Sequence, residues 1–145
     1  ESDFTIDHLR GSHLIVKASF PHALVLQAPG ERRIIFVIPL DAEHVLLGTT
    51  EQKHDISDPI VCTDAESAYL LEILNQHLSE PLAASDIVSS FAGVRPIVRP
   101  RDTAPGDISS ASRDSEIEIS DRLISVFGGK WTSARHLGEK VAALI

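Results

Sequence analysis

The sequence predicts an α+β fold: a mainly antiparallel sheet with two helices. Short apolar runs joined by tight polar links fill the first third of the chain, the pattern of an antiparallel meander. Two amphipathic helix patterns stand far apart, and a charged, alternating run turns tightly into an apolar one just before the second.

Residues 13–18 alternate His13, Ile15 and Lys17 against Leu14, Val16 and Ala18, which predicts a first strand. Residues 23–27 form a second apolar run, and APGE at 28–31 supplies a turn. The run RIIFVI at 33–38 reads as a central strand buried on both faces. A turn at 39–43 leads to a fourth strand at 45–48, and the polar stretch 49–61, with Asp58-Pro59, reads as a loop.

Thr63 and Glu66 are spaced as a capping box, and Leu70, Ile73, Leu74 and Leu78 form one apolar stripe behind them. This predicts a helix ended by Glu80-Pro81. IVSSFAGVRPIVR at 87–99 is a long strand pattern interrupted by Gly93 and Pro96. Proline cannot donate to a ladder, so an edge or a bulge is expected there. Residues 101–112 are rich in Asp, Pro, Gly and Ser and read as a loop. A half-exposed strand at 116–119, a turn at Asp121-Arg122 and an apolar strand at 123–127 follow. Gly128, Gly129 and Lys130 then precede a helix with Thr132 at its N-cap and apolar residues at Ala134, Leu137, Val141 and Leu144. Gly138 weakens that helix by roughly 1 kcal/mol relative to alanine.

The totals bound the function. A chain of 145 residues with 43% hydrophobic content fits one globular domain. A formal charge of −8 disfavours DNA or RNA as a partner. No apolar run approaches membrane-spanning length, and the single cysteine, Cys62, excludes an internal disulfide and fits the reducing cytosol as an inert thiol. No methionine is present, and the sequence runs from Glu1 to Ile145 within a helix pattern, so it reads as a segment of a longer protein.

Three features suit chemistry. Glycines between a strand and a helix let backbone amides approach a ligand, and a helix start carries free N–H groups and partial positive charge. Residues 123–145 have this form, with Lys130 at the mouth. Arg95, Arg99, Arg101 and Arg113 cluster in an otherwise acidic chain, and a guanidinium grips phosphate or carboxylate with two prongs. Arg95 alone is bracketed by Gly93 and Pro96, as if the backbone were set to aim it, whereas Arg99 and Arg101 suit surface ion pairs. His13, beside Gly11 and Ser12, suits a general base near neutral pH or a hydrogen-bonded strand end. The seven histidines show no metal spacing, so no metal is expected. No GxSxG, Walker or GxGxxG sequence is present.

Several segments together resemble the FAD-dependent glycerol-3-phosphate dehydrogenases and related oxidases. They are RGSHLIV at 10–16, IPLDAEHVLLGTTE at 38–51, AGVRPIV at 92–98, SRD at 112–114 and VFGGKWTSAR at 126–135. They keep the family's order and similar spacing over nearly the whole chain. Two departures stand out: Glu51 where the family commonly has aspartate, and Ser133-Ala134 where it commonly has threonine and tyrosine.

The resemblance implies a substrate-binding domain of the D-amino-acid-oxidase-like type spanning 1–145, with about 123–145 returning to an FAD-binding domain that lies outside the chain. It implies that His13, Arg95 and Lys130 line the substrate pocket as catalytic residues, that Arg95, Arg113 and Lys130 bind substrate, and that Gly128, Gly129 and Thr132 approach the flavin. The implied reaction oxidises sn-glycerol 3-phosphate to dihydroxyacetone phosphate, with hydride passing to FAD and electrons going on to a quinone. FAD is expected in the whole protein and not on this segment alone. The expected location is the cytoplasm, with any peripheral attachment of the whole protein to the inner membrane arising from parts outside the chain. The competing readings are a non-catalytic anion-binding or interaction module of the same fold, and an FAD oxidase of another substrate.

Overall fold

The computed structural model describes residues 2–31, 33–102 and 114–145. The chain forms two compact units, one of Arg10–Val94 and one of Glu1–Leu9 with Arg95–Ile145. Two 14-residue strands, β1 (Phe4–Lys17) and β6 (Ile87–Pro100), pair with each other and run through both units.

In the unit Arg10–Val94, β2 (Leu24–Gln27), β3 (Ile34–Pro39), β4 (His44–Gly48) and β5 (Gln52–Lys53) join β1 in the order β2-β3-β4-β1-β5. The pairs β2–β3, β3–β4 and β1–β4 are antiparallel, so the α+β class with a mainly antiparallel sheet is what the chain adopts; the expected meander holds for β2-β3-β4 only, because β1 lies beside β4 and not beside β2. One sheet face packs on helix α1 (Asp64–Asn75). Leu14, Val16, Leu26, Ile35, Val37, Val45 and Leu47 meet Leu70, Leu71, Ile73 and Leu74 in a single core. Burying one such side chain contributes about 1.5–3 kcal/mol, which makes this layer the main stabiliser of the unit.

Three expectations need correction here. The strand expected from His13 begins at Phe4, because the polar residues Asp7, His8 and Arg10 masked the alternation upstream. The strand β3 is not buried on both faces: Ile34, Phe36 and Ile38 are exposed while Ile35 and Val37 are buried. Its outward positions are apolar rather than polar, which a sequence pattern cannot distinguish from two-sided burial. Helix α1 starts with the expected capping box on Thr63, yet it ends at Asn75 rather than at Glu80-Pro81. Asn75 there exchanges two hydrogen bonds with the backbone of Leu82, at 2.9 and 2.8 Å, which holds the chain that leaves the helix.

The other unit contains the hairpin of β7 (Ser115–Ser120) and β8 (Leu123–Gly128), turned at Asp121 and Arg122. Asp121 adopts a left-handed φ of 54°, which aspartate tolerates better than most residues. Phe4 meets Phe127 with ring centroids 5.7 Å apart, and the Asp3 amide donates to Glu118 Oε1 at 2.8 Å. A 3-10 turn (Trp131–Ser133) leads into helix α2 (Ala134–Ala142). Among the described residues no helix is long and apolar enough to cross a membrane.

Candidate functional site

The expected site residues fall in both units. His13 lies in Arg10–Val94, and Arg95, Gly128, Gly129, Lys130 and Thr132 lie in the other. Arg113 lies outside the described residues.

His13 stands in the middle of β1, on the sheet face opposite the core. A row across the sheet runs from Val25 through Phe36 and Gly48 to His13, each directly opposite the next. On its far side the imidazole stacks on Phe91 of β6, with centroids 5.0 Å and planes 11° apart. Gly48 is the empty step in that row. A side chain there would come within 2.9 Å of the imidazole Cγ, so glycine is what lets the ring lie flat across β4. Val25, Phe36 and Phe91 are each about half exposed or more, at 63%, 46% and 50%, so His13 sits within an uncovered apolar surface.

Beneath that face, on the core side, lies a buried polar cluster. Beyond Gly48 the Thr50 amide donates to the Ser12 carbonyl at 3.3 Å, and the Ser12 amide donates to Thr50 Oγ1 at 2.9 Å. Both hydroxyls then donate to Glu66 Oε1, Ser12 at 2.9 Å and Thr50 at 2.8 Å. Glu66 Oε2 accepts from Arg10 Nη2 at 2.8 Å, from the Thr63 amide at 3.0 Å and from Thr63 Oγ1 at 2.9 Å. Burial pushes the Glu66 carboxyl up. The bonds from the Thr63 amide and the Thr50, Thr63 and Ser12 hydroxyls outweigh it and hold the pKa down at about 2. Glu66 is therefore a buried, fully engaged carboxylate. The sequence shows it only as half of a capping box; nothing in local spacing announces its reach to β1 and β4.

In the other unit the arginines separate. Arg99 pairs with Asp7, Nε to Oδ2 at 2.8 Å, with both side chains largely buried. Arg101 Nε donates to the Ser2 carbonyl at 2.9 Å. These two tie the start of β1 to the end of β6. Arg95 is half-buried on β6 and has no ion-pair partner among the described residues.

The segment 128–132 is exposed throughout. Gly128 has φ 69° and Gly129 φ 101°, both in the region that favours glycine, and a Cβ at Gly128 would lie 2.7 Å from Val98 Cγ2. Lys130 Nζ is 3.6 Å from Asp114 Oδ1, a long contact between two groups that are mostly in water. Such a pair holds a lysine weakly and leaves it available to a stronger anion. Thr132 is not the N-cap. It lies inside the 3-10 turn, which closes when the Ser133 amide donates to the Lys130 carbonyl at 3.0 Å, and that bond delays the start of α2 to Ala134. An exposed turn of two glycines, with backbone amides unobstructed by side chains and a lysine beside them, fits the approach of an anionic or flavin ligand. Among the described residues no cluster of His, Cys, Asp or Glu suits a metal ion.

The profile of the FAD dependent oxidoreductase family matches residues 1–144. The chain belongs to that family. A glycerol-3-phosphate dehydrogenase of Pseudomonas aeruginosa is 38% identical, covering 96% of this chain and 28% of its own length. A D-erythritol 1-phosphate dehydrogenase of Brucella abortus is 31% identical over 91% of this chain and 27% of its own length. The crystal structure of a glycerol-3-phosphate dehydrogenase from Bacillus halodurans complexed with FAD superposes with a TM-score of 0.75 at 29% identity, over 99% of this chain and 27% of that one. This member of the FAD dependent oxidoreductase family thus spans little more than a quarter of the length of the relatives it matches.

Proposed function

We propose that this chain is the substrate-binding part of an FAD-dependent dehydrogenase that oxidises a polyol phosphate, with sn-glycerol 3-phosphate as substrate and dihydroxyacetone phosphate as product. The observation that carries the reading is the contrast among cations. Arg99 and Arg101 are engaged by Asp7 and Ser2, whereas among the described residues Arg95 has no ion-pair partner and Lys130 has only a long, exposed one. Arg95 would bind the phosphate dianion as a two-pronged, charge-assisted clamp, joined by Arg113. Lys130 would donate to the substrate oxygens. His13 would take the hydroxyl proton as the carbinol C–H leaves as hydride, so that proton and hydride together account for the two hydrogens lost.

Gly128, Gly129 and Thr132 would hold the flavin edge, with the start of α2 supplying positive potential. FAD, when bound, accepts the hydride and passes the electrons on to a quinone. The apolar row around His13 supports the same reading, because a contiguous uncovered apolar surface marks a place where something packs. That surface would meet the dinucleotide-binding part of the whole protein. Any peripheral attachment to the inner membrane would also come from segments outside this chain.

A second substrate has specific support: one relative is named for D-erythritol 1-phosphate, which carries the same phosphate and secondary alcohol on a longer chain. The test is substrate-dependent reduction of an artificial electron acceptor by the intact flavoprotein. Activity with glycerol 3-phosphate well above that with D-erythritol 1-phosphate supports the first substrate, and the reverse order supports the second. Activity with neither, alongside activity with a 2-hydroxy acid or an amine, would overturn the polyol-phosphate reading.

A further inference from the structure

We propose that Glu66 is a positioning residue for His13, acting through the hydroxyls of Ser12 and Thr50. This rests on the reading of His13 as the proton acceptor, and it adds a residue that the reaction itself does not require.

The argument is one of geometry. His13 has to present its imidazole from a strand position opposite the last residue of β4, where a ladder frays most readily. Past Gly48 the β1–β4 pairing stops, and in the gap before β5 pairs with β1 the departing chain is tied to β1 by the Ser12–Thr50 exchange at 3.3 and 2.9 Å. Thr50 Oγ1 has two tasks in that exchange: it accepts from the Ser12 amide and donates to Glu66 Oε1. A hydroxyl has one hydrogen to give, so the carboxylate oxygen orients it, leaving its lone pairs toward Ser12. Glu66 Oε1 takes the Ser12 hydroxyl as well, and thereby bridges the residue before His13 to the second residue after Gly48.

The carboxylate is itself held from the other side by Arg10 and by Thr63 at the start of α1. The chain of contact thus runs from a rigid helix start, through one charge, to both strands beside His13. Glu66 and Arg10 are the charged groups in it, and Glu66 is 4% exposed, so the bridge is shielded from water. An amide in place of the carboxylate would still accept from the two hydroxyls, but it would turn an N–H₂ toward the Thr63 amide and Arg10, all of which are donors. The side chain would have to rotate, and one end of the bridge would open.

The test uses the intact flavoprotein with glycerol 3-phosphate. Glu66→Gln and Thr50→Val are each expected to lower kcat at least ~10-fold while KM stays within ~3-fold, because His13 is displaced and the phosphate clamp is not. Thr50→Ser, which keeps the hydroxyl, is expected to stay within ~3-fold of wild type on both constants. Flavin content and thermal melting of each variant show whether it is folded. If Glu66→Gln does not fold, Thr50→Val decides by the same split. A folded, flavin-loaded Glu66→Gln or Thr50→Val with wild-type kcat overturns the proposal, as does a Thr50→Ser variant as impaired as Thr50→Val. His13→Asn separates the two levels. Its retention of wild-type kcat removes the base and the positioning role together. Its loss of activity beside an unaffected Glu66→Gln removes the positioning role alone.

Discussion

His13 faces Gly48 across the β1–β4 ladder, and its imidazole occupies the space that a side chain at position 48 would need. The same ring is stacked on Phe91 from the other side. The position of the candidate base is therefore set by what is missing on one strand and by an aromatic ring on another. Gly48→Ala is expected to push the ring off Phe91, at a cost of about 1–3 kcal/mol for forced overpacking. Chemical shifts of the His13 ring protons would report it, since they lose the shielding of the Phe91 face. Unchanged shifts would mean that the ring is held by other contacts.

Arg95 and Lys130 are expected to behave alike and unlike Arg99. In the intact protein Arg95→Ala and Lys130→Ala should each lower kcat/KM by about 2–4 kcal/mol, roughly 30- to 1,000-fold, as for loss of one contact made in the transition state. Arg99→Ala should instead lower the melting temperature, because it leaves the largely buried Asp7 carboxylate without its partner. Steady-state kinetics and thermal melts of the three variants check this. Normal kinetics in Arg95→Ala and Lys130→Ala would remove them from the site.

Glu66 predicts the acid limb of stability. Its carboxyl titrates near 2 in the folded chain against an ordinary value of 4.5. The stabilisation, on the order of 3 kcal/mol, is present above about pH 4.5 and is lost as the pH falls through about 2. Denaturant melts of wild type between pH 5 and pH 2 should show this loss, and Glu66→Gln, being less stable at neutral pH, should show a shallower slope over that window. Parallel slopes for the two proteins would count against the assignment.

Gly128 is expected to resist replacement more than Gly138. At Gly128 a φ of 69° and a Cβ contact with Val98 Cγ2 combine, so Gly128→Ala should cost about 2–4 kcal/mol. Gly138 lies within α2 with nothing near its would-be Cβ, so Gly138→Ala should stabilise by about 1 kcal/mol. Opposite shifts in melting temperature are the expected readout.

Much of the scaffold was legible because its causes are local. Alternation marked the second half of β1, short apolar runs between turn residues marked β2, β3 and β4, and Thr63 with Glu66 marked the start of α1, since capping needs only three residues of spacing. The ends were less legible. The start of α2 moved past Thr132 because the Ser133 amide bonds to the Lys130 carbonyl, a choice between near-equal turn geometries that no side-chain pattern records. The two residues of β5 carry no periodicity to detect.

The sequence by itself determined the α+β class, the capped helix, the glycine-rich turn before Lys130 and the ordered motifs of the family. Each of these follows from residue type and short-range spacing. The tertiary structure alone decided which arginines are engaged, which face of β3 is uncovered, and that Glu66 spends its charge on Ser12, Thr50 and Arg10 as well as on its own cap. These depend on residues 16 to 99 positions apart meeting across different elements. The physical reason is that a hydrogen bond or ion pair is set by distance in space, whereas a sequence displays only distance along the chain.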